Sequence, residues 1–106
     1  RGFPSAAYDY LATDMLRVDA YRAAIAHVVP GRAVLDVGTG RDALLAQLCA
    51  DAGAAHVAAV EVLPSAATSA REAIARAGLT GHVDLILGHS AMVPLPPVDV
   101  VVHEIV

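Results

Sequence analysis

The chain contains no lysine and no tryptophan, a single cysteine (Cys49), one phenylalanine and three tyrosines. Each scarcity excludes something. Without lysine, seven arginines stand against eleven carboxylates, and the formal charge is −4. An acidic chain with no basic stripe is a poor match for nucleic acid, because backbone binding needs clustered cations that release counterions. One cysteine cannot form an internal disulfide and fits a reducing compartment, so a cytoplasmic protein is expected. No apolar run reaches the ~18–20 residues that a membrane-spanning helix needs, since Asp, Arg, Gly or His interrupts each one. Residues 1–8 lack the apolar segment of a signal peptide. The five histidines show no metal-ligand spacing, so no metal site is expected.

What is present is apolar. The 106 residues are 57% hydrophobic, with a mean hydropathy of +0.58. Without a membrane segment, that excess implies buried parallel strands and alanine-rich helices in one small domain. The chain begins at Arg1 and stops at Val106, directly after a strand-like run. An unpaired central strand is an aggregation template, so a fragment lacking its C-terminal part is expected, inactive by itself.

Hydrophobic spacing predicts a helix over residues 9–27, ended by Pro30-Gly31. Strand and helix then alternate. Residues 33–37 read as a strand running into the turn Gly38-Thr39-Gly40, followed by a helix from about Asp42, with Leu44, Leu45, Leu48 and Cys49 on its buried face. Residues 56–61 form a second strand, Pro64 and Ser65 open a second helix, and residues 83–87 form a third strand. A proline-rich loop over residues 92–97 leads to a fourth strand at 98–102. Such alternation means βαβ units: an α/β fold with a Rossmann-like, doubly wound parallel sheet, here incomplete and preceded by a helix. The expected division is an N-terminal helical segment, 1–31, that covers a cofactor, and a cofactor-binding half, 32–106. Ligands of such sheets sit at the carboxyl ends of the strands.

The strongest motif is the segment from Val34 to Ala43. Gly38, Gly40 and Ala43 satisfy the dinucleotide spacing G-x-G-x-x-G/A, which leaves NAD open. Two carboxylates turn the reading elsewhere. Asp36 stands at the mouth of the turn, and Asp42 sits where a diphosphate would meet the helix N-terminus, although capping that helix is its expected role. Each negative charge beside a diphosphate would cost on the order of a kcal/mol. S-adenosylmethionine carries a cationic sulfonium and an amino group, and both favour nearby carboxylates. Glu61 closes the second strand, about where an acidic residue accepts the ribose hydroxyls of a bound nucleoside.

Four stretches, spanning nearly the whole chain, resemble the protein arginine methyltransferases, a class I methyltransferase family. The first runs from Asp14 to Arg22, with an arginine three residues after an aspartate and the pair Tyr21-Arg22 beyond. The second and third are the turn, Val34 to Leu44, and the strand end Val57 to Glu61. The fourth, Val98 to Val106, is similar to the family's fourth strand and the start of its loop bearing two glutamates. The resemblance implies that Arg17 binds the carboxylate of S-adenosylmethionine, and that Asp36, Gly38, Gly40, Glu61 and Ser90 line the rest of its site. Glu104 matches the first of the two glutamates. Three positions depart from the pattern: Asp42 replaces the third glycine, Ala91 stands where many members place a glutamate against the adenine amine, and His103 occupies a site usually held by a small residue.

The implied activity is N-methylation of a guanidinium, on a protein arginine, free arginine or another small guanidine. A carboxylate matches the planar donor fork of a guanidinium bidentately, which is the chemistry assigned to Glu104. The resemblance also leaves a homodimer open for a full-length protein, although the family's pairing arm is not in this chain. The competing readings are a class I methyltransferase of an unrelated small molecule, an NAD-dependent oxidoreductase and a non-catalytic fragment.

Overall fold

The computed structural model describes residues 19–89, 92 and 95–103. Residues 19–28 are helical (α1). Strand β1 (Ala33–Val37) leads to helix α2 (Leu44–Asp51), β2 (His56–Glu61), α3 (Pro64–Arg76), β3 (Val83–Leu87) and β4 (Val100–Val102). The strands form one sheet in the order β3-β2-β1-β4, and every pairing is parallel.

The two central strands are near-continuous apolar runs because both of their faces are covered. On one face Val34, Val57, Ala59 and Val83 pack against Ile25 and Val29, against Leu45, Leu48 and Cys49 of α2, and against Ala70 and Ile74 of α3. On the other, Leu35, Ala58 and Val60 are covered by Leu95 and Val98 from the β3–β4 connection. Two successive crossovers therefore carry the chain from β1 to β3 along one face. The third returns it over the opposite face to the far side of β1, as right-handed crossovers require when direction reverses.

Two element starts differ from the sequence reading. The fourth strand begins at Val100 rather than Val98. Val98 leaves the ladder to pack on Leu35, Ala58 and Val60. Asp99 closes the ladder instead, its Oδ2 accepting the Ala33 N–H at 3.0 Å while its own N–H donates to the Ala33 carbonyl at 2.8 Å.

Helix α2 begins at Leu44, not Asp42. Its N-cap is Ala43, held left-handed at φ 50 and ψ 42, and no side chain caps the helix. Asp42 is exposed, and its carbonyl accepts the Gln47 Nε2–H at 2.6 Å. Leu44 is likewise turned outward, 38% exposed, whereas Leu45, Ala46, Leu48 and Cys49 are buried.

The left-handed conformation costs a Cβ-bearing residue ~1–2 kcal/mol. Ala43 is completely buried, so glycine there forfeits a methyl group, ~0.8 kcal/mol, and some chain entropy, but releases that strain. Ala43→Gly is expected to leave stability within about 1 kcal/mol of the parent. Ala46→Gly, equally buried within the helix, has the same losses without relief and should cost about 1.5–2 kcal/mol. Denaturant melts of the two variants check this; equal losses would show that Ala43 stores no strain.

Candidate functional site

Because the strands are parallel, their carboxyl ends gather on one edge. The turn at residues 38–43 follows β1, Glu61 closes β2, and Gly88 and His89 follow β3, while His103 follows β4.

Glu61 organises this edge. It is 7% exposed. Its Oε1 accepts the Gly40 N–H at 2.9 Å, its Oε2 accepts the Leu63 N–H at 3.0 Å, and its main-chain carbonyl accepts the Gly88 N–H at 2.9 Å. A carboxylate offers about four lone-pair sites. Two internal donors leave room for two more, the number supplied by the adjacent hydroxyls of a ribose.

The turn itself looks inward. The N–H groups of Gly38 and Thr39 both donate to the Val60 carbonyl at 2.9 Å, and that of Gly40 goes to Glu61. A diphosphate cradle needs such N–H groups aimed at the ligand; here the first three are spent on β2. Gly38 (φ 71) and Gly40 (φ 75) are left-handed, and a Cβ at either would meet nothing within 4 Å. The glycines therefore answer a backbone requirement and leave open space above the turn.

Asp36 lies on the other side of the turn, 1% exposed. Its Oδ2 accepts the Thr39 hydroxyl at 2.6 Å in a buried bond. Its side chain faces α2. Burial first, and the Asp36 charge second, push the Cys49 thiol up to about 11. Cys49 is thus a protonated core residue rather than a nucleophile.

Of the residues expected from the sequence, Asp36, Gly38, Gly40 and Glu61 share this edge. Arg17, Ser90 and Glu104 lie outside the described residues. Val102 pairs with Asp36, so the loop after β4 starts beside the glycine turn. His103, at its start, lines an apolar groove of about 350 Å³ with Tyr21, Ile25, Val28, Leu45 and β4. Neither Asp36 nor Glu61 borders that groove. Among the described residues, no group of three or more His, Cys, Asp or Glu is placed to hold a metal ion, and no helix is long and apolar enough to cross a membrane. Sequence reasoning missed Thr39. Its signal was weak: a hydroxyl three residues after a strand-end carboxylate, in a turn tight enough to bring the two together.

No protein-family model matches the chain. The protein arginine N-methyltransferase PRMT10 of Oryza sativa subsp. japonica is 42% identical over 95 residues, 86% of this chain and 24% of that protein. Protein arginine N-methyltransferase 1.1 of Arabidopsis thaliana is 32% identical over 102 residues, 92% of this chain and 26% of that protein. Among solved structures, the Trypanosoma brucei PRMT1 enzyme–prozyme heterotetramer with AdoHcy superposes with a TM-score of 0.79 at 31% identity, covering 88% of this chain and 30% of that one. Arabidopsis thaliana protein arginine methyltransferase 10 gives 0.76 at 41% identity, covering 90% and 29%. The chain spans about a quarter of the length of the curated relatives it matches. Within that span, the chain has the class I methyltransferase fold, and its sequence is similar to those of protein arginine N-methyltransferases.

Proposed function

We propose that this chain is the S-adenosylmethionine-binding part of an enzyme that methylates arginine guanidinium groups. The observation that carries the reading is Glu61, fastened to Gly40 at 2.9 Å beside a turn whose first three N–H groups face inward. Such an edge disfavours a diphosphate and suits a nucleoside with a cationic tail. Relatives with the same fold agree, one of them solved with AdoHcy.

When bound, S-adenosylmethionine supplies a methyl group on a positively charged sulfur. The chain's own residues hold and orient. Glu61 takes the ribose hydroxyls with its remaining lone pairs, and the open space over Gly38 and Gly40 admits the tail. Asp36 adds negative charge under the turn. Arg17 pairs with the carboxylate, and Ser90 contacts the adenine. Glu104 receives the acceptor guanidinium as a bidentate carboxylate, fixing its orientation and stabilising the cation that develops. The acceptor is a protein arginine in this reading, with free arginine or another small guanidine as the rival. Pairing of two full-length copies and a cytoplasmic site of action, which suits the free buried thiol of Cys49, belong to the same proposal.

The test is a titration of the protein, as its gene encodes it, with S-adenosylmethionine, S-adenosylhomocysteine and NAD. Methylation assays on an arginine-rich peptide and on free arginine follow. Binding of the two sulfur nucleosides but not NAD, with transfer to the peptide, is expected. Binding of NAD alone would overturn the proposal, and transfer only to an acceptor without a guanidinium would overturn its substrate half.

A further inference from the structure

We infer that Thr39 is a positioning residue for the cofactor, acting through Asp36; this rests on the reading of the edge as an S-adenosylmethionine site. Thr39 bridges the two central strands. Its hydroxyl donates to Asp36 Oδ2 of β1 at 2.6 Å, and its N–H donates to the Val60 carbonyl of β2 at 2.9 Å. Asp36 is 1% exposed and Thr39 8%, so water does not compete for this bond. A buried hydrogen bond to a carboxylate is among the stronger kinds, and its geometry is narrow. It fixes the carboxylate beneath the glycine turn and, through the same residue, fixes the turn against β2. The hydroxyl therefore sets where the negative charge lies relative to the space above Gly38 and Gly40. A residue without a donor there leaves the carboxylate to turn toward whatever other partners it has, and the field at the turn changes with it.

Thr39→Val keeps the branched shape and removes only the hydroxyl. In the protein as encoded by its gene, this variant is expected to weaken S-adenosylmethionine binding about tenfold, in line with loss of one charge-assisted hydrogen bond. Thr39→Ser, which keeps the donor, should bind within about twofold of the parent. The decisive measurement is the same substitution in the Asp36→Asn background. If Thr39 acts through the carboxylate, Thr39→Val has little further effect there, whereas a purely structural role weakens binding equally in both backgrounds.

Thermal melts accompany each titration. If a variant does not fold, the serine comparison still decides: binding as weak in Thr39→Ser as in Thr39→Val or Thr39→Ala overturns the inference. So does unchanged affinity in Thr39→Val. Failure of the parent protein to bind either sulfur nucleoside would instead overturn the functional reading, and would be seen before any variant is made.

Discussion

In the protein as its gene encodes it, and under the function proposed above, replacing Glu104 with glutamine is expected to reduce arginine methylation on the order of a hundred- to a thousandfold, the usual consequence of removing one preorganised group that stabilises transition-state charge. Affinity for S-adenosylmethionine should stay within about twofold, because the proposed cofactor contacts do not include Glu104. The asymmetry has a simple origin. Glutamine keeps the shape of glutamate but replaces one acceptor with an NH₂ group, which faces the N–H fork of a guanidinium donor to donor. It also removes the charge that stabilises the developing cation. Steady-state rates at saturating cofactor, alongside cofactor titrations, separate the two effects. Equal loss of both would refute the role assigned to Glu104. An unchanged rate would favour an unrelated acceptor, for which this residue is incidental.

Glu61→Ala should act in the opposite pattern, on binding and stability first. The alanine removes the acceptors of the Gly40 and Leu63 N–H groups in a place where the parent side chain is 7% exposed. Both bonds are part-buried and Leu63 is exposed, so water partly replaces the lost acceptors, and a loss of roughly 1–3 kcal/mol in folding stability is expected. Cofactor affinity should fall about a hundredfold or more, since two hydrogen bonds from ribose to a charged group disappear together. Glu61→Gln should fall between, retaining one acceptor while its amide NH₂ confronts the second N–H. Denaturant melts and cofactor titrations on both variants give the two readouts. A folded Glu61→Ala protein with parental affinity would remove this residue from the cofactor site.

The sequence showed the central strands clearly because Val34, Leu35, Val57 and Val60 are buried, and burial on both faces leaves an unbroken apolar run. Asp36 and Glu61 were legible as interruptions at the ends of those runs. What escaped was decided by contacts between distant segments. Val98 looks like its neighbours in β4, yet it packs on the opposite face with Leu95, and only the position of the β3–β4 connection makes that so. Asp42 has the residue type of a helix cap, but the left-handed turn at Ala43 moves the helix start past it. Thr39 reads as a spacer between two glycines until the turn brings its hydroxyl to Asp36. The roles given to Arg17, Ser90 and Glu104 came from family resemblance, because no local periodicity or spacing ties them to the glycine turn.

One residue at the end of β2 also ties the loops of this edge together. Glu61 receives the chain after β1 at Gly40, the chain leading into α3 at Leu63, and the chain after β3 at Gly88. Two of these loops are fastened to its carboxylate and the third to its main-chain carbonyl, a shared anchor expected to couple their motions. A nucleoside bound to that carboxylate is expected to stiffen first the two loops it holds, at Gly40 and Leu63.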